Sequence, residues 1–143
     1  EASWLLHEAA LVLGDKEWQE RIESRLPSIV VAATEGFTPE GGMIYEKMGD
    51  HIDGDRHWWV QAEAAVGYFN LWEHFGAQDG LENAIYCWEY IKTALIDKEN
   101  GEWFWSVRAD GTLNRDEDKA GFWKCPYHNG RMCLEIIERT SSF

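Results

Sequence analysis

Basic residues are scarce in this chain of 143: Lys and Arg number 13 against 26 Asp and Glu, a net charge of -13. That balance repels phosphate backbones, and no local Lys/Arg cluster offsets it, so nucleic acid is not an expected partner. Long apolar runs are missing as well. None approaches the roughly 20 residues of a membrane span, and no charged-then-apolar leader precedes a small-residue cleavage site, so neither a membrane nor an export route is expected. Cysteine is limited to Cys87, Cys125 and Cys133. An odd count without a leader points to reduced thiols in a cytoplasm rather than to a disulfide framework.

What the chain has in excess is aromatic surface: nine Trp, five Tyr and six Phe make 14% of the residues. With 45% hydrophobic and 27% charged residues, the composition fits one globular domain that buries a core. Many of the aromatics belong to that core. Trp and Tyr are also flat amphipathic plates on which sugar rings stack, and an acidic, Trp-rich concavity suits a carbohydrate.

The opening "EASWLLHEAALVLG" is already inside a helical pattern, without Met or cap, and ends at Gly14 where a helix C-terminus favours a left-handed residue. It reads as the C-terminal piece of a longer protein. A second helical stretch spans about 17–33, with Pro27 kinking or restarting it. In "GFTPEGGMIYEKMGDHIDGDRHWW", Gly and Pro turns flank a strand-like run at Met43–Lys47, which predicts a small hairpin. Further helices are predicted over about 58–75, ending at Gly76, and 81–96.

After these, "NGEWFWSVRADG" repeats the logic of "EGGMIYEKMGDHIDG", with Gly42 and Gly101 lying 59 residues apart. Helix-helix-hairpin units at such a period predict an all-α toroid whose long loops gather on one face, where sites are built. A plain helical bundle is the alternative, but its connections would be short.

The sequence offers three constellations for chemistry. In "GFWKCPYHNGRMCLEII", His128 stands at a predicted helix start, where the macrodipole favours neutral imidazole and so a base. Trp123 offers an apolar wall and Arg131 a cation one turn on; a surface or capping histidine is the competing explanation. A metal site from Cys125, His128 and Cys133 is disfavoured, because structural zinc needs four ligands and no second pair is present. In "RHWWVQAEAAVGYF", Trp59 and Glu63 share one helical face, an aromatic plate beside a carboxylate, and a buried Glu63 would need partners such as substrate hydroxyls. Core tryptophans and a solvated Glu63 would be the plain alternative. Glu1 and Trp4 are also one turn apart, though a surface Glu and a core Trp would explain them equally well.

The blocks "EASWLLHEAA", "WWVQAEAAVGYFNLW", "GEWFWSV" and "FWKCPYHNGRMCLEII" together resemble the N-acylglucosamine 2-epimerase superfamily, and within it most closely the cellobiose 2-epimerases. The resemblance spans essentially the whole chain. It implies an (α/α)6 barrel, of which residues 1–143 would be a C-terminal fragment lacking the upstream part. It also implies reversible inversion at C2 of a reducing-end sugar, with no redox cofactor and no required metal. Implied substrates are a disaccharide such as cellobiose or lactose, or an N-acylglucosamine, and the "HNGR" after His128 leans towards the disaccharide.

By the same resemblance His128 is one of two catalytic bases, and Trp59, Glu63, Trp123 and Arg131 line the sugar site. The other base belongs to an H-x-x-E-x-x-W pattern of which this sequence carries Glu1, counted with the catalytic set, and Trp4, counted with the sugar contacts. The histidine of that pattern would lie three residues before Glu1, and His7 does not occupy its position. The isolated fragment is therefore expected to be inactive, with its open helical faces covered by upstream chain or by dimerisation. Rival expectations are aldose-ketose isomerisation, a glycoside hydrolase pairing Glu63 with Asp55 or Asp116, and a non-catalytic sugar-binding fragment.

Overall fold

A computed structural model describes residues 1–141. Helix α1 (Ala2–Leu13) stops where Gly14 takes φ 68 and its N–H closes on Ala10 O at 3.2 Å. Glycine supplies that left-handed conformation without Cβ strain. The stretch expected over 17–33 is two helices, α2 (Lys16–Glu23) and α3 (Leu26–Ala33). Asp15 caps α2 by accepting from the N–H groups of Glu17 and Trp18. Pro27 lies in the first turn of α3, where a missing N–H is harmless, so it restarts the helix.

The hairpin lies further along than Met43–Lys47: β1 (Glu46–Met48) pairs antiparallel with β2 (His51–Asp53). The reason is that the backbone of Met43 is already engaged. Its N–H donates to Gln61 Oε1 at 2.7 Å, and its C=O accepts from Gln61 Nε2 at 2.8 Å. A fully buried side-chain amide thus replaces a strand neighbour.

A two-residue strand, β3 (Arg56–His57), precedes the central helix α4 (Trp58–Phe75), which ends at left-handed Gly76 as expected. Helix α4 buries Ala62, Ala65, Val66, Tyr68, Phe69 and Leu71, and α1, α3, α5 and α6 all pack against it. Burial on several faces explains its near-continuous apolar character. Helix α5 (Gln78–Tyr90) starts earlier than its apolar spacing indicated and runs into a π-helical turn, Ile91–Leu95. Its first turn carries Gly80 instead of an apolar residue: a Cβ there would lie 2.8 Å from Tyr68 O and 2.9 Å from Trp72 N, so α5 rests directly on the α4 backbone. Strand β4 (Ser106–Val107) pairs with β3, and α6 (Tyr127–Thr140) closes the described chain.

The internal repeat is visible in the turns. Phe37 bridges Met43, and Ile96 bridges Trp103, so equivalent bridges recur 59 and 60 residues apart. Within each turn the hydrogen bonds correspond: Thr38 N to Gly42 O at 3.0 Å matches Asp97 N to Glu102 O at 2.8 Å. The second turn holds one extra residue, which makes Gly41 and Gly42 the counterparts of Gly101 and Glu102.

Helices α1, α4 and α6 run side by side in the same direction, with their starts near Glu1, Glu63 and His128. Towards their far ends Arg139 of α6 fastens them, donating to Glu8 at 3.1 Å, Asn70 at 3.1 Å and Glu73 at 3.2 Å. The described residues are helical with two two-stranded sheets, and a closed ring is not part of what they form. Among them no helix is long and apolar enough to cross a membrane.

Candidate active site

The parallel run of α1, α4 and α6 brings Glu1, Trp4, Glu63, His128 and Arg131 together, with Glu63 at the centre. Its Oε2 accepts from Trp4 Nε1 at 2.9 Å, and its Oε1 accepts from His128 Nδ1 at 2.7 Å and from Arg131 Nη2. Burial would raise the pKa of this carboxyl. The hydrogen bonds from His128, Arg131 and Trp4 outweigh that effect and hold Glu63 below the usual carboxylate range. Glu63 is therefore an acceptor, which places the imidazole hydrogen on Nδ1 and the lone pair on Nε2. The Glu63 carboxylate, which the sequence did not connect to His128, sets the tautomer of that ring.

The partners foreseen for Glu63 were substrate hydroxyls, whereas its oxygens are occupied by protein donors. Trp4, expected among the sugar contacts, is 1% exposed and lies beneath the site, where its ring also carries the Arg131 guanidinium at 4.8 Å. It is buried because its N–H and its π-face are both used internally. Arg131 is likewise committed, donating to Glu1 Oε1 at 2.9 Å, to Glu63 and to the Tyr127 hydroxyl. It pairs with two carboxylates at once.

The concave surface lies beside this hub. Tyr45, His57, Trp58, Trp59, Trp105 and Trp123 surround His128 and Glu1 in a cleft of about 370 Å³. The Trp59 ring sits 5.6 Å from His128 and 5.9 Å, edge-on, from Tyr45. Trp123 stands at the rim, 79% exposed. A half-buried aromatic floor with an exposed indole at its edge can take the apolar face of a sugar while leaving the hydroxyls wet.

Tyr45, His57 and Trp105 were not singled out from the sequence. Trp105 was accessible, because alternation in "GEWFWSV" sets it on the strand face opposite Phe104. Tyr45 and His57, whose rings are 4.4 Å apart, meet only through tertiary folding.

Glu1, Glu63 and His128 hold possible metal-ligating atoms within 4.8 Å of one another. Arg131 already pairs with both of these carboxylates. Asp53, Asp55 and His57 form a second such group, in which Asp55 Oδ1 accepts from Ala109 N at 2.9 Å. Cys125, His128 and Cys133 form none among the described residues.

The profile of the N-acylglucosamine 2-epimerase (GlcNAc 2-epimerase) family matches residues 1–130. A cellobiose 2-epimerase of Bacteroides fragilis is 63% identical over 139 residues, covering 96% of this chain and 36% of that protein. One from Ruminococcus albus is 42% identical over 140 residues, with 97% and 36% covered. The solved structure of a sugar epimerase from a ruminal bacterium superposes with a TM-score of 0.90 at 40% identity, covering 96% of this chain and 36% of that one. The chain thus spans about 36% of the length of these relatives. These matches do not bear out the C-terminal placement expected from the sequence. On this evidence the chain belongs to the N-acylglucosamine 2-epimerase family.

Proposed function

We propose that this chain supplies one wall of a sugar 2-epimerase site, in which His128 exchanges a proton with C2 of a reducing-end glucose. The observation that carries this reading is the His128 to Glu63 hydrogen bond beside the aromatic cleft, which fixes Nδ1–H and leaves Nε2 as the working nitrogen. Imidazole suits a group that must take and return a proton near neutral pH in every turnover. Removing the C2 hydrogen of the open-chain aldehyde gives a planar cis-enediolate. A base on the opposite face then returns a proton to the other side of C2, inverting it.

Residues outside this chain supply that second base. The complete protein is on this reading a single (α/α)6 barrel. The apolar groove between α4, α5 and α6, lined by Phe69, Trp88, Met132 and Ile137, supports it, since an unpartnered face of this kind needs further helices. The substrate is a disaccharide with a reducing glucose, in line with the names of the most similar relatives. Trp59 and Trp123 bear the sugar rings, while Trp4, Glu63, Arg131 and Glu1 hold the base. The 143 residues alone are inactive, having one base.

The test is His128→Gln in the complete protein. C2 deuterium uptake from D2O and formation of the mannose-type product from cellobiose are both expected to disappear. Uptake at the parent rate would end the proposal. A ketose product in place of the epimer would move the protein to aldose-ketose isomerisation, which shares the enediolate and differs in the carbon that is reprotonated.

A further inference from the structure

Glu102 is the one residue other than glycine with a positive φ, 62, among the described residues. Side chains adopt this conformation only with strain, and such strain persists where surrounding structure holds it. Its counterpart in the first repeat is Gly42, at φ 78, where a Cβ would lie 2.7 Å from the Tyr90 ring. The first turn thus excludes a side chain at a position where the second turn carries one despite the strain.

One oxygen of that side chain is engaged twice. Glu102 Oε1 accepts from Asn129 Nδ2 at 2.8 Å and from Lys124 Nζ at 2.9 Å. The Lys124 side chain is 1% exposed, and its ammonium also donates to Lys119 O at 2.7 Å and lies 5.3 Å from the Trp58 ring. Lys124 and Asn129 flank the segment that carries His128. Glu63 therefore holds the imidazole itself, and Glu102, from a different loop, holds the side chains of residues on both sides of it.

We propose that Glu102 is a positioning residue for His128, acting through Lys124 and Asn129; its catalytic consequence rests on the reading of His128 as a base. The alternative is a purely local clasp that leaves the imidazole where it is. The two differ in whether His128 moves when the clasp is removed.

The experiment uses the complete protein with Glu102→Gly, which relieves the backbone strain and deletes the anchor. Glu102→Asn is the second variant, tolerant of the left-handed conformation but too short to reach Asn129. With 15N-labelled histidine, the Nδ1–H resonance of His128, assigned by its loss in His128→Gln, is expected to shift or broaden in either variant. The turnover number on cellobiose should fall about tenfold, with KM within about threefold of the parent, as expected for a displaced reacting group. Glu102→Gln, which keeps length and acceptor, should recover most of the loss. An unmoved His128 resonance in the folded variants overturns the proposal, whatever the rate. Movement of the resonance in a protein without epimerase activity would leave the positioning role standing and remove the functional reading instead.

Discussion

Glu63 and His128, 65 positions apart, meet at 2.7 Å because α4 and α6 run in the same direction, with the second turn of α4 beside the first turn of α6. The contact fixes a proton on one imidazole nitrogen, and the charge that fixes it is itself held by Trp4 and Arg131. A half-buried imidazole thus stands on a buried foundation.

Glu63→Gln tests that foundation. A glutamine keeps the shape but can face Nδ1 with either its oxygen or its N–H₂, so the required tautomer is no longer enforced. The turnover number of the complete protein should drop by about ten-thousandfold, the scale seen when a base loses the carboxylate that orients it. Stability carries a second signature. The folded pKa of Glu63 is depressed, so its contribution is present above the ordinary carboxylate pKa of about 4.3 and is lost as pH falls through the lower folded value. Urea unfolding between neutral pH and pH 3 should show a shallower acid loss in the variant.

Trp123 and Trp58 should separate binding from folding. Trp123 is 79% exposed and Trp58 is 4% exposed. Trp123→Ala should leave the unfolding midpoint unchanged and raise KM for a disaccharide about tenfold, the worth of one stacked ring. Trp58→Ala should cost about 3 to 5 kcal/mol of stability, as for other buried aromatic truncations. Thermal unfolding alongside steady-state kinetics distinguishes the two.

Gly80→Ala should lower stability by about 2 to 3 kcal/mol, since the added carbon meets backbone atoms of α4 that cannot yield like a flexible side chain. Gly14→Ala, with open space around it but φ 68, should cost about 1 kcal/mol from conformation alone. Denaturant titration of both variants checks the order.

Burial pushes the Cys87 thiol up to about 12, whereas Cys125 is exposed. Alkylation by iodoacetamide near pH 8 should therefore mark Cys125 and spare Cys87 in the folded protein, because the thiolate is the reacting form. Peptide mass mapping after a short exposure reads the outcome, and equal labelling of both would contradict the packing around Cys87.

Much of the helical framework was legible in local patterns. Gly14 and Gly76 mark helix ends that the structure keeps, and the paired glycine turns announced a repeat that the bridges Phe37 to Met43 and Ile96 to Trp103 make concrete. The start of α5 was hidden because Gly80 is there for close approach, a tertiary demand that leaves no apolar periodicity. The hairpin was misplaced because Gln61, eighteen residues on, claims the backbone of Met43. At the site, the sequence drew attention to Glu63 and His128 but neither to their contact nor to the hydrogen bonds that Trp4 and Arg131 give Glu63. Spacing on one helix says which residues share a face; it does not say which neighbour takes their hydrogen bonds.

The Gln61 clasp has a wider consequence. Because the helix amide grips Met43 by main-chain atoms on both sides of its Cα, the loop leading to Tyr45 is moored independently of which side chains it carries. That wall of the cleft is free to be resculpted for another ligand while its height above the helix stays the same, and the residue that permits such change lies outside the loop altogether.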